Sequence, residues 1–381
     1  MDRELELELL DELISLDQEK LAYLDEDIAL SPVEHYCDPD HFAQEHDRVF
    51  RSYPQIAAHC SELPEPGSFL RRDLAGLPAF LTRDRDGQVH AFLNVCRHRG
   101  ARLVEDEKGC KHSFSCPYHA WTWSNTGDLR GVPHQKQGFP DLDKSKYGLI
   151  RLPCSEISGW IWVVPNPKSS FDIAAFVAPA AADFAWLDGG NLRMGPSNQI
   201  TCAANWKILL EGGIEAYHFR VAHKDTIGPF FPDNLSSYRM MGHHMRSVLP
   251  RVTIGDLHSR PRDSWNIRDE ANVLYTFFPT SQFLVQQDHL IWIRTEPLAA
   301  DQTRLTLTTM VPADAPTDLD AHWQKNHQIT MHTLSEDFDI GEAIQSGLAS
   351  GANDALTFGR YEGALTQFAN MMAQAVSDPA A

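Results

Sequence analysis

Cys96-Arg97-His98 is followed, after seventeen intervening residues, by Cys116-Pro117-Tyr118-His119. These two short pairs, C-x-H and C-x-x-H, carry four metal-ligating side chains, one thiolate and one imidazole in each. Two thiolates on one iron and two imidazoles on the other form a [2Fe–2S] ligand set in which imidazole raises the reduction potential. Thiolate suits the iron that stays ferric, and neutral imidazole lets the other iron cycle. Since each pair contains one ligand of each kind, each iron takes one ligand from each loop. Zinc also accepts two cysteines and two histidines. Zinc fingers, however, usually pair Cys with Cys and His with His along the chain. The flanks Arg99-Gly100 and Ala120-Trp121-Thr122-Trp123 fit two cluster-binding loops. Trp121 and Trp123 read as packing and shielding of the cluster. The motif says that this protein moves electrons singly.

A second metal signature lies between Asn205 and His223, where Glu215, His218 and His223 spell E-x-x-H-x4-H. On a helix, Glu215 and His218 share a face because they are three apart. His218 and His223 are five apart, a spacing that an ideal α-helix does not align. Both reach one metal only if the helix ends or bulges between them. Zinc peptidases of the H-E-x-x-H type space their histidines differently. Two histidines plus one carboxylate, with open positions left over, make the facial triad of non-heme Fe(II) oxygenases. Glu215 is one candidate carboxylate. The segment Ser335-Glu336-Asp337-Phe338-Asp339 supplies others.

With both motifs in place, the chain resembles the α (oxygenase) subunits of Rieske non-heme iron oxygenases, the ring-hydroxylating oxygenase family. The resemblance runs from about Ser31 to Phe368. It rests on the cluster motif, Asn205-Trp206-Lys207 followed by E-x-x-H-x4-H, and the late Glu336-Asp337 run with Gly359-Arg360-Tyr361-Glu362 after it. It implies that Cys96, His98, Cys116 and His119 hold the cluster and that His218, His223 and Asp337 hold Fe(II). Asp337 takes the ligand position of the family's run, five before Glu342; Glu336 and Asp339 stay open as alternatives. Glu215 matches the bridging carboxylate that links a cluster histidine of one subunit to an iron histidine of the next, so the resemblance also implies a homotrimer. Electrons come from NADH or NADPH through a separate reductase, directly or by way of a ferredoxin, because no dinucleotide fingerprint or plant-ferredoxin cysteine spacing is present. Two departures matter. Gly212-Gly213 replaces the Asn-containing pattern of many members, and the bridge is Glu where many arene dioxygenases have Asp. A Glu bridge occurs in relatives that oxidise quaternary ammonium compounds. The leading expectation is hydroxylation of an aromatic or other largely apolar molecule using O2, with oxidation of a quaternary ammonium compound as the alternative. An electron carrier of ferredoxin type and a zinc metallohydrolase fit less well. The first leaves over two hundred residues unused, and the second conflicts with the histidine spacing.

The bulk of the chain agrees. A chain of 381 residues is long for one core. Its 43% hydrophobic and 22% charged residues are ordinary for a globular enzyme. A formal net charge of −19 argues against nucleic acid or an anionic membrane surface as partner. No apolar run is long enough to span a bilayer, and the N-terminus lacks a signal-peptide pattern, so a cytoplasmic protein is expected. Seven cysteines, two of them assigned to the cluster, leave five expected to be free thiols.

The expected fold class is α+β: an N-terminal all-β Rieske domain followed by a helix-grip catalytic domain, an antiparallel sheet under long helices. Residues 1–40 form an acidic helical segment, 41–165 the cluster domain and 166–381 the catalytic domain. Leu5, Leu9, Leu13, Leu16, Leu21 and Leu24 recur at near-helical spacing. Residues 205–222, 318–348 and 360–376 read as helices, and 245–254, 273–278, 282–287, 290–295 and 303–311 as strands. Met240-Met241, Phe230-Phe231, Phe277-Phe278 and Phe283 are candidate pocket residues that core packing explains better. Arg220, Arg239 and Arg246 are candidates to clamp a substrate carboxylate.

Overall fold

The computed structural model describes residues 1–377. The chain divides into two units, one of Arg48–Ala175 and one that joins Met1–Asp47 to the chain from Phe176 onward. The divisions fall at 47/48 and 175/176, where the sequence suggested 40/41 and 165/166.

Residues 48–175 form short antiparallel strands in a five-stranded and two three-stranded sheets. Trp160–Val163 is the middle strand of one of them, between Cys154–Ile157 and Gln55–His59, and all four residues are buried. A strand covered on both faces reads as an unbroken apolar run, which is why Trp-Ile-Trp-Val stands out. The second C-x-x-H pair sits in the hairpin between Ser113–Ser115 and Thr122–Ser124. Phe69, Phe80, Phe92, Phe114 and Trp123 pack around Cys96 and Cys116 in one core.

The other unit begins with helix α1, Arg3–Glu19. Asp2 caps it by accepting from Leu5 N, and it stops at Lys20, which adopts a left-handed conformation. Its buried face is Leu9, Leu10, Leu13 and Ile14, whereas Leu21 and Leu24 lie beyond the helix and are exposed. Asp11 takes a two-pronged bond from Arg262, and Glu6 accepts from Ile267 N, so α1 is laid on its own unit.

The central sheet has seven strands: β1 Leu192–Cys202, β2 Ser237–Met241, β3 His244–Pro250, β4 Ala271–Phe277, β5 Ser281–Val285, β6 Leu290–Ala299 and β7 Gln302–Pro312. Strands β2 to β7 meander in order and β1 adds beside β7, all antiparallel. The segment after Pro250 leaves the sheet as a helical turn, Val252–Ser259, so β3 is shorter than its apolar run suggested.

Three longer helices stand beside the sheet, α2 Trp206–Ile214, α3 Asp320–Leu348 and α4 Gly363–Ser377, among several shorter helical turns. Helix α2 is shorter than the expected 205–222. Gly212-Gly213 is a weak helix former. The Glu215 carboxylate then accepts from the backbone N–H groups of Tyr217 and His218, a local bond that competes with helical pairing. A separate helical turn, Phe219–Ala222, follows. Helix α3 lies against the sheet and α2. Its Phe338 is buried with Ile291, Ile293, Leu305 and Leu307, and Leu209 of α2 packs on the same cluster. Each such side chain contributes roughly 1.5–3 kcal/mol. Gly341 allows the close approach: a Cβ there would meet Leu209 Cδ2 at 2.8 Å. Glu342 and Gln345 of α3 accept from Ala203 N and Asn205 N, each at 2.8 Å, which ties the entry of α2 to α3.

Candidate metal centres

The first centre is built by two loops of matched design. In one, Cys96 N donates to Ala101 O and Gly100 N returns a bond to Cys96 O. In the other, Cys116 N donates to Trp121 O and Ala120 N bonds Cys116 O. The fourth residue after each cysteine has positive φ, Gly100 at 80° and Ala120 at 53°. Glycine tolerates this readily, and alanine only when the loop imposes it. Asn94 anchors the first loop, accepting from Leu103 N and Val104 N while donating to Val104 O.

The loops bury both cysteines, each 3% exposed, and leave His119 exposed and His98 half-buried. The two imidazoles stand 4.8 Å apart between ring centroids. His98 stacks flat on Trp121, the shielding expected of that residue. Burial pushes the Cys96 thiol up, and the neighbouring Cys116 thiol adds to the effect. Among the described residues, the tight groups of three or more His, Cys, Asp or Glu donors do not include this one. A tetrahedral zinc needs all four donors around one point. Two sulfurs inside and two nitrogens outside suit a two-iron cluster.

The second centre does gather around one point. Ligand atoms of His218, His223 and Asp337 all lie within 4.8 Å of one another. Asp337 Oδ1 is 2.9 Å from His223 Nε2 and 3.5 Å from His218 Nε2. His218 follows the break after α2, His223 closes the next turn, and Asp337 comes from the middle of α3. The spacing of five therefore works because the helix ends at Ile214, ahead of both histidines, and not between them.

Each imidazole is held from behind. His218 Nδ1 bonds the Glu215 carboxylate, and His223 Nδ1 bonds Glu336 Oε2 at 2.7 Å. Thr226 Oγ1 donates to the same Glu336 oxygen at 2.6 Å. With Nδ1 engaged, Nε2 of each ring is left to face Asp337 as a ligand. His218 Nε2 is buried and has no hydrogen-bond partner, the signature of a donor set made for an ion. Burial works against charge on His218, but Asp337 and Glu215 outweigh it and raise this group to about 9. On His223 burial is likewise opposed and overcome by Asp337 and Glu336. The carboxylates around the two rings favour positive charge at this point.

The candidates thus separate. Asp337 joins the two histidines, Glu336 stands one step behind His223, and Asp339 is not in the group. The role of Glu336 was missed because its partner is 113 residues away. A cavity of about 230 Å³ opens beside the triad, lined by His223 and Asp337 and walled by Leu209, Phe219, Phe231 and Phe338. Of the sequence candidates for the pocket, Phe230 and Phe231 line it, while Phe277, Phe278 and Phe283 belong to the buried core. The three arginines proposed as clamps are elsewhere: Arg220 pairs with Asp233 at the surface, Arg246 with buried Asp183, and Arg239 is exposed.

Both units of the chain are similar to known proteins. The model of the ring hydroxylating alpha subunit catalytic domain matches residues 189–378, and that of the Rieske [2Fe-2S] domain matches residues 54–154. The glycine betaine monooxygenase oxygenase subunit of Pseudomonas aeruginosa is 26% identical over 359 residues, 84% of this chain and 82% of that protein. The fold is similar to that of a quaternary ammonium Rieske monooxygenase, CntA, in complex with L-carnitine, with TM-score 0.78, 20% identity, and 92% and 96% of the two chains covered. It is also similar to naphthalene 1,2-dioxygenase from Rhodococcus sp., with TM-score 0.75, 19% identity and 99% of each chain covered.

Proposed function

The chain belongs to the α subunits of the Rieske non-heme iron oxygenases, and from that membership we propose that His218, His223 and Asp337 hold its mononuclear iron while Cys96, His98, Cys116 and His119 hold its cluster. It is an oxygenase that works on a small organic molecule with O2 and with electrons delivered by a partner. When bound, the cluster supplies electrons one at a time and the iron supplies open positions for dioxygen.

The chain's own residues position and enclose. Glu215 and Glu336 fix the two imidazoles in the tautomer that presents Nε2. Cys96 and Cys116 are buried and would hold the cluster from the protein side, while His98 and His119 sit where a neighbour can reach them. Glu215 then serves twice, holding His218 within the subunit and meeting a cluster histidine of the next subunit, which makes the working form a homotrimer. A reductase brings the electrons from NADH or NADPH, directly or through a ferredoxin.

The single observation that carries this reading is the convergence of two imidazole Nε2 atoms and one carboxylate, each ring backed by its own carboxylate, beside a largely apolar cavity. The cavity walls favour hydroxylation of an aromatic or other mostly apolar substrate. Similarity to a glycine betaine monooxygenase subunit favours a second reading, oxidation of a quaternary ammonium compound. That reaction needs an aromatic cage. The lining offers phenylalanines, no Tyr or Trp among the described residues, and no acid except Asp337. Oxygen uptake by iron-loaded protein with a reductase and NADH tests both readings, against arenes, aromatic acids and betaines, with products identified by mass. Substrate-dependent uptake with oxygen in the product supports an oxygenase and separates the two; no uptake on any compound by a reducible, iron-replete protein counts against the reading.

A further inference from the structure

The cavity beside the triad changes character at its other end. It runs along α3, where Asp337, Leu334, Thr330 and Asn326 recur on one face. Eleven residues at about 1.5 Å each place Asn326 roughly 16 Å from Asp337 along the axis. On the sheet opposite, strand alternation carries the same face from apolar to polar, Leu274 to Asn272 on β4 and Leu284 to Gln286 after β5. Leu249 pairs with Asn272 in register, and Arg251 follows two residues on, its N–H bonded to Glu270 O at 2.7 Å. Gln286 N donates to His289 O at 3.0 Å across the next turn. Asp288 bonds His322, and the His289 ring meets Trp323, so this polar end belongs to the first turns of α3, far from the triad.

Two atoms there have no protein partner. Arg251 Nε and His289 Nε2 are both buried without a hydrogen bond. His289 is 5% exposed, and its Nδ1 is already engaged by Asp288 at 2.7 Å. Arg251 spends one nitrogen on Asn272 Oδ1 at 3.2 Å, and among the described residues it has no ion-pair partner. Arg251 is the sole arginine or lysine in the described lining. A buried guanidinium donor without a partner is costly, and the fork of this lining side chain fits a carboxylate with two parallel bonds.

Resting on the assignment of the triad as the iron site, we propose that the substrate carries a carboxylate, bound by Arg251 at the far end of this cavity. Its apolar body lies along α3 and brings the reacting carbon to the triad. Short zwitterions such as betaines share the carboxylate but not the length that this arrangement asks for.

The test is equilibrium binding by calorimetry to the full-length, iron-loaded protein. The compounds are benzoate, 2-naphthoate and biphenyl-4-carboxylate, each against its primary amide, with glycine betaine and carnitine as separate arms. At least one aryl carboxylate should bind tenfold or more tightly than its amide. Arg251→Gln should bring that ratio near one. Arg251→Lys keeps the charge but not the fork, and should lower the ratio severalfold; it carries the comparison if Arg251→Gln does not fold. Equal binding of every acid and amide, binding of no acid at all, or a preference that survives Arg251→Gln would overturn the proposal. Tighter binding of the betaines than of all aryl acids would assign the carboxylate site to a zwitterion and overturn the apolar body. Iron and cluster content measured on the same samples separates the two levels. Wild-type protein that cannot hold iron counts against the triad, whereas full iron without acid selectivity counts against Arg251 alone.

Discussion

Replacing Glu336 by Leu isolates the contribution of a group that touches no metal in our assignment. The carboxylate accepts from His223 Nδ1 at 2.7 Å and from Thr226 Oγ1 at 2.6 Å. Leucine removes both bonds and frees the His223 ring to rotate or to change tautomer. Loss of such a partner costs about 10–100-fold in metal affinity, or ~1.4–2.7 kcal/mol. Leucine is a good helix former, and Glu336 sits partly exposed on α3, so the fold should lose little. The assay is iron titration of the mononuclear site, with the visible spectrum of the cluster in the same sample as internal reference. Expected are an unchanged cluster spectrum, an unchanged melting profile and iron affinity weakened at least tenfold. Glu336→Gln keeps an oxygen that can accept from Nδ1 and should recover part of the loss. Iron affinity within twofold of wild type for Glu336→Leu would refute the argument that His223 depends on this carboxylate for its orientation.

Asp337→Ala should empty the mononuclear site and leave the cluster spectrum intact; iron retained there would remove Asp337 from the ligand set. Glu215→Gln should keep both metals and slow turnover, and unchanged coupling of NADH use to product would deny it a bridging role. Lys207 Nζ bonds Glu45 at 2.6 Å, and both side chains are buried, with Trp206 Nε1 on the other oxygen. Lys207→Met leaves that buried carboxylate with only His41 and Trp206 as partners and should cost up to about 3–5 kcal/mol in denaturant unfolding, whereas the double change Lys207→Met with Glu45→Gln should recover much of it. Burial raises the Glu211 carboxyl to about 8 despite its bond from Tyr36. Its folded value exceeds its unfolded one, so its contribution is complete at low pH and fades as pH climbs from about 4.5 to 8, by a few kcal/mol at ~1.4 kcal/mol per pH unit. Glu211→Gln should flatten that decline and be more stable than wild type at pH 8; a parallel decline would place the effect in other groups.

The two loops that we assign to the cluster were legible because their candidate ligands come as local pairs. Cys96 with His98, and Cys116 with His119, are each set by one tight turn, so chemistry and spacing appear together in the chain. The helix-grip sheet was legible for the same kind of reason, since β3 to β7 follow one another as a meander of buried apolar runs. Strands β1 and β2 escaped because their residues are mostly half-exposed or exposed, which blurs the alternation that marks a buried strand. Helix α2 was read too long, since an apolar pattern continues past Gly212-Gly213 while the Glu215 side chain takes over the backbone bonds beyond Ile214.

By itself the sequence determined the metal chemistry: two thiolates and two imidazoles in paired loops, then two histidines at a spacing that no uninterrupted helix can use. Tertiary structure decided where each candidate carboxylate stands. Asp337 and Glu336 are neighbours in the chain, yet a helix turns successive residues by about 100°, so one faces the triad and the other faces the back of His223. It also decided that Arg251, and none of the three arginines that sequence suggested, enters the cavity. That choice depends on where β3 ends and on which strand lies beside it, and register between strands is set by the packed sheet rather than by any local pattern.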